Sequence, residues 1–117
     1  MTTKEDAQKF LNDFFAKYRV YDILFRDYRN KNSKALLSLE ITPNKRREII
    51  ESIRVEDYSQ GPLDDKLYGI ASMWVFGKIV KETEVYIKIT LGNFNSQVIC
   101  ISFHDAEYTM NYPFKNV

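Results

Sequence analysis

Glu84-Val85-Tyr86-Ile87-Lys88-Ile89-Thr90-Leu91 is the stretch from which the rest of the chain is read. Val85, Ile87, Ile89 and Leu91 alternate with Tyr86, Lys88 and Thr90, the period of two of a strand with one buried and one open face. Gly92-Asn93-Phe94-Asn95-Ser96 follows, rich in turn formers. Residues 98–104 then alternate Ile99, Ile101 and Phe103 against Val98, Cys100, Ser102 and His104. The pattern predicts a β-hairpin. A five-residue loop pairs Ile89 with Ile99, Ile87 with Ile101 and Val85 with Phe103, so that the apolar positions coincide. The open face then sets Lys88 beside Cys100, Tyr86 beside Ser102 and Glu84 beside His104, with Tyr86 diagonal to His104. The only histidine of the chain thus falls near a tyrosine and a lysine.

The preceding strand is Met73-Trp74-Val75-Phe76-Gly77-Lys78-Ile79. A two-residue turn at Lys81-Glu82 pairs Val80 with Thr83, places Trp74 and Phe76 on the apolar face and sets Gly77 opposite Tyr86. A three-residue turn would bring Lys78 beside Tyr86 instead. Upstream, Thr3 caps a first helix with Asp6 in its first turn, and Ala7, Phe10, Leu11, Phe14, Phe15 and Tyr18 recur at helical spacing. Residues 20–26 are short and aromatic enough for a strand and equally continue the helix. Residues 27–32 are polar and break the pattern, and residues 33–39 form a short helix presenting Ala35, Leu36 and Leu39. Thr42-Pro43 starts a further helix to about residue 53. It buries Ile49, Ile50 and Ile53 and exposes Lys45, Arg46, Arg47, Glu48 and Glu51. Residues 57–62 are a loop by composition, and residues 63–72 continue without a clear period. The tail, 105–117, carries Tyr108, Met110, Tyr112 and Phe114, and either packs back over the sheet or adds an edge strand.

With 117 residues, 44% of them hydrophobic, the chain buries one good core, so a single domain over 1–117 is expected. It divides into a helical region at 1–40, an antiparallel meander at 72–104 and the tail. A single cysteine allows no internal disulfide and, within an isoleucine-rich strand, suggests a reduced, packed thiol. No apolar run approaches the ~20 residues of a membrane span. A cytoplasmic protein without a membrane partner is expected. The net charge of +1 gives no field for nucleic acid as a whole. Locally, residues 17–34 carry six basic and two acidic side chains and residues 42–54 four and two, whereas residues 55–65 carry four acids and no base. There is no glycine-rich phosphate loop and no metal-ligand cluster, so no cofactor is expected.

Thr42, Arg46, Ile49-Ile50, Asp57-Tyr58, Trp74, Val85-Tyr86-Ile87-Lys88-Ile89-Thr90 and Ile101-Ser102-Phe103, in that order, resemble the MqsR family of type II toxins, which are similar to RelE-type messenger-RNA endonucleases. The resemblance covers roughly residues 33–104 and leaves the first helix and the aromatic tail outside. It implies an α+β fold of the RelE kind, with N-terminal helices on a curved antiparallel sheet. It also implies an endoribonuclease that cuts mRNA without metal or small-molecule cofactor and is held in check by a cognate protein antitoxin. Tyr86 falls on the family's functional tyrosine and Lys88 on the lysine two residues beyond it. His104 and Gln60 stand where a relative carries lysines, and Val75 where it carries a functional glutamine.

Catalysis is accordingly assigned to Tyr86, Lys88 and His104, and RNA contact to Gln60, Lys78 and Arg46. In this chemistry the RNA 2′-hydroxyl loses a proton and attacks the adjacent phosphate. His104 suits the proton transfer, with Glu84 as orienting partner, and Lys88 suits the phosphate. Tyr86 donates to phosphate or stacks under a base, and Gln60 reaches a base edge or phosphate. Trp74 is expected in the core. Lys45, Arg46 and Arg47 would dock an acidic partner. The alternative is a non-catalytic RelE-like module that binds RNA or protein.

Overall fold

The first helix, α1 (Lys4–Tyr21), starts at a capping box in which Thr3 Oγ1 accepts from Asp6 N–H and the Asp6 carboxylate accepts from Thr3 N–H. This pairs donors that a first helical turn leaves unsatisfied. Ala7, Phe10, Leu11 and Phe14 form its buried stripe, and Phe10 stacks on Trp74 with ring centroids 4.8 Å apart. Trp74 is therefore core. The helix ends at Asp22, whose φ is 69°, and β1 (Ile23–Phe25) follows at once. Residues 20–26 thus contain both the end of a helix and a strand. The structure, a computed structural model, describes residues 1–27, 30–64 and 71–115, with residue 30 by its backbone only. Parts of the polar 27–32 and patternless 63–72 stretches lie outside the described residues.

Two short helices follow, α2 (Asn30–Leu39) and α3 (Pro43–Glu51), the second capped by Thr42. A 3₁₀ turn, Val55–Asp57, leads into β2 (Tyr58–Leu63). Composition marks residues 57–62 as loop, but all of them beyond Asp57 lie in an edge strand. An edge tolerates Gly61 and Pro62, and the register shifts between Tyr58, Gln60 and Leu63 show the ladder bending around them. The strands β3 (Met73–Val80), β4 (Thr83–Thr90) and β5 (Val98–Asp105) complete a five-stranded sheet of order β1-β5-β4-β3-β2. The meander is antiparallel, but β1 runs parallel to β5. The sheet is mixed because Val98 N–H bonds the Asp22 carbonyl and starts both strands from the same end.

The domain is α+β, and residues from all three helices share one core with Phe76, Val85, Ile87, Ile89 and Phe103. The β3–β4 hairpin has the two-residue turn, with Val80 opposite Thr83 and Gly77 opposite Tyr86. Lys81 and Glu82 sit at φ 49° and 68°, the conformation whose twist suits a tight hairpin.

The β4–β5 register differs from the one the alternation predicts. Ile87 lies opposite Phe103 rather than Ile101, Lys88 opposite Ser102 rather than Cys100, and Ile89 opposite Cys100 rather than Ile99. The loop occupies residues 91–97 rather than 92–96, and the ladder shifts between Lys88 and Ile89, leaving Ile101 as the extra residue. Such a bulge reverses the alternation beyond it. Val98 and Cys100 consequently join the core, while Ile99 shares the opposite face with Thr90.

Cys100 is 1% exposed, and burial pushes its thiol up to about 12. The thiolate is the reactive form. Iodoacetamide at pH 8 should therefore leave the native protein unmodified and alkylate it in urea, as read by mass spectrometry. Native alkylation at the rate of a free thiol would place Cys100 outside the core.

Where β1 stops, a side chain takes over its pairing with β5. Asn32, 3% exposed, donates from Nδ2 to the carbonyls of Arg26 (3.0 Å) and Ile101 (2.7 Å) and accepts from Phe103 N–H (3.1 Å). Among the described residues no helix is long and apolar enough to cross a membrane.

Candidate functional site

Strand pairing lines up two rungs on the face of the sheet turned away from α1. One runs Gln60, Val75, Lys88, Ser102, and the next runs Gly77, Tyr86, His104. Tyr86 and His104 are direct neighbours rather than diagonal ones. Their rings stack with centroids 5.3 Å apart and planes 12° from parallel. Gln60, Tyr86, Lys88, Ser102 and His104 line a cleft of about 450 Å³, closed on its other side by Lys31 and residues 107–111. Three catalytic candidates and one RNA-contact candidate thus come together.

The tail forms that second wall, so it packs back over the sheet. Tyr112 lies over Gly77, where a Cβ would collide with the tyrosine hydroxyl. That hydroxyl donates to the Glu84 carboxylate (2.8 Å), which also accepts from Met110 N–H (3.1 Å). The Glu84 carbonyl accepts from Ala106 N–H at 2.9 Å. Burial first, and then the Glu84 carboxylate, push the Tyr112 phenol up and keep it a donor. Further along, Phe114 stacks on Tyr58 at 4.8 Å, and Lys31 pairs with Glu107.

Glu84 is therefore not the orienting partner of His104. The shifted register moves it past the histidine, and the tail occupies its oxygens. His104 Nδ1 instead lies 2.9 Å from the Asp105 carbonyl oxygen. A carbonyl only accepts, so Nδ1 carries a proton and the neutral ring keeps its lone pair on Nε2.

Two RNA-contact candidates stand elsewhere. Lys78 is on the helix side of the sheet, donating to Asp57 (3.0 Å) and to the Ser52 carbonyl, because the two-residue turn gives it the parity of Trp74 and Phe76. Arg46 is 4% exposed, holds Asp27 through both guanidinium ends at 2.7 and 3.0 Å and lies 3.6 Å over the Phe25 ring. Residues 46, 49, 50 and 53 share one helical face, so Arg46 belongs to the buried stripe. Arg47 pairs with Asp22. Of the three basic residues expected to dock an acidic partner, Lys45 is exposed, Arg47 is half-buried and Arg46 is buried.

Sequence reasoning passed over Lys31 and Tyr108 as site residues. The charge run at 17–34 was the one signal for Lys31, and the tail has no period that would point Tyr108 anywhere. Among the described residues no group of His, Cys, Asp and Glu could hold a metal. No protein family, no curated protein and no solved structure matches the chain.

Proposed function

We propose that this chain is a toxin-like endoribonuclease of RelE-like architecture that cuts mRNA and is restrained by a protein antitoxin. The observation that carries the reading is the cleft itself, where His104 with its lone pair on Nε2 shares a rung with Tyr86 and sits beside Lys88. Nε2 takes the 2′-hydroxyl proton as O2′ bonds to phosphorus. Lys88 offsets the charge that builds on the phosphoryl oxygens. The bond from phosphorus to O5′ then breaks, and the departing oxygen takes a proton from the lysine ammonium or from water. The products are a 2′,3′-cyclic phosphate and a 5′-hydroxyl. Tyr86, stacked on the imidazole, limits its rotation and presents a hydroxyl to the phosphate.

A short labelled RNA and the same RNA with 2′-deoxy sugars test this. The purified protein should cut only the first, leave a cyclic phosphate, and do so equally in EDTA. Cleavage of the deoxy substrate, or loss of activity in EDTA, would remove the mechanism. One observation favours the binding module instead: Glu84 is engaged by the tail, so His104 lacks the carboxylate expected beside it. Folded protein that binds RNA without cutting it, and whose expression leaves growth unchanged, would decide for that module.

A further inference from the structure

The tail lies outside the resemblance that suggests nuclease chemistry, yet it supplies half of the cleft. Tyr108 lines that cleft opposite Tyr86 and His104 while remaining 84% exposed. An aromatic ring so open to water contributes little to packing. Its segment is nevertheless tied down on both sides, by the Lys31–Glu107 side-chain pair and by Glu84, which accepts from Met110 N–H and the Tyr112 hydroxyl. Lys31 and Lys88 line the same space. An exposed aromatic on an anchored segment, in a cleft lined also by Lys88 and by the Lys31–Glu107 pair, suits single-stranded nucleic acid: a base stacks on the ring while the backbone lies toward Lys88.

We propose that residues 107–111 are the base-binding wall of the cleft, with Tyr108 as a stacking platform for one unpaired base and Glu84 as the positioning residue that holds the wall. The ligand class is single-stranded RNA with at least one splayed base, since stacking on Tyr108 requires a base face that a duplex conceals. This deepens the ribonuclease reading and rests on it for the identity of the scissile strand. Binding, however, can be measured without cleavage.

The test uses the full chain and a labelled, mixed-sequence single-stranded RNA carrying 2′-O-methyl groups throughout, which the 2′-hydroxyl route cannot cut. Anisotropy titrations should show Tyr108→Ala weakening binding about tenfold or more, the loss expected for one base–aromatic stack, with Tyr108→Trp restoring it and the melting temperature unchanged. Glu84→Ala should weaken binding similarly and Glu84→Gln less. The double variant Glu84→Ala/Tyr108→Ala should be no worse than Tyr108→Ala alone, because Glu84 acts through the platform. On unmodified RNA, Tyr108→Ala should raise KM and leave kcat within a fewfold. Binding unaffected by Tyr108→Ala, additive effects in the double variant, or no binding by the wild type would overturn the proposal. Wild-type binding that depends on Tyr108 without any cleavage would keep the wall and remove the nuclease.

Discussion

His104→Ala and Tyr86→Phe should each slow RNA cleavage by on the order of 10² or more, the usual scale for losing a group that transfers or steers a proton. The first removes the Nε2 lone pair. The second keeps the ring that stacks on His104 at 5.3 Å and deletes only the hydroxyl, so it separates a phosphate donor from a mere support for the imidazole. Both side chains lie on the cleft face and are partly exposed, so thermal melts should coincide with wild type. Wild-type rates in both variants would remove the site as assigned. A normal rate in Tyr86→Phe alone would reduce the tyrosine to its stacking role. Lys88→Met should also slow the reaction, whereas Lys78→Met should leave cleavage near normal because that ammonium is bonded to Asp57 on the helix side.

The largest effect on stability should come from Asn32→Ala. The amide serves three backbone groups, the carbonyls of Arg26 and Ile101 and the Phe103 N–H, at a residue only 3% exposed. A buried polar group left without a partner costs ~1–3 kcal/mol, and some of the three would regain water. A loss of about 3 kcal/mol is expected, visible as a lower urea midpoint at constant slope. Asn32→Asp should not rescue it, since a carboxylate cannot donate to the two carbonyls. A change below ~0.5 kcal/mol would mean that Asn32 does not substitute for the missing strand. The comparison matters for function because the same hydrogen bonds hold the part of β5 that carries Ser102 and His104.

The sequence made some of this legible and concealed the rest for definite reasons. The β3–β4 register could be read because a two-residue turn leaves no slack between alternating runs. The β4–β5 register could not, because a bulge at Ile101 lets apolar residues satisfy both faces in turn: isoleucine is acceptable in the core and under the cleft floor alike. The actual register brings Tyr86 and His104 closer, as direct neighbours instead of diagonal ones. Arg46 was misjudged by its charge when its position in the Ile49, Ile50 and Ile53 stripe was the better guide. Lys78 was assigned to RNA although the two-residue turn already gives it the parity of Trp74 and Phe76. The tail could be read only as two alternatives, packing back or an edge strand, since its placement depends on Gly77 being bare and on Glu84 being available, and neither fact has a local signature.

Glu84 gives the cleft two walls of unequal permanence. The floor belongs to the strand ladder, and it opens only when the domain unfolds, at a cost of about 5–15 kcal/mol for a protein of this kind. The tail is tied by the Glu84 carboxylate to Met110 N–H and the Tyr112 hydroxyl and by the ring of Phe114 on Tyr58. Hydrogen bonds to a charged group contribute roughly 1.5–3 kcal/mol each, so the tail can detach as a sub-global fluctuation while the candidate side chains of the floor stay where they are. Apparent affinity for any ligand gripped by both walls is then scaled by the fraction of molecules in which the tail is down. A substitution at Gly77, whose Cβ would collide with Tyr112, would lower that fraction by displacing the tail.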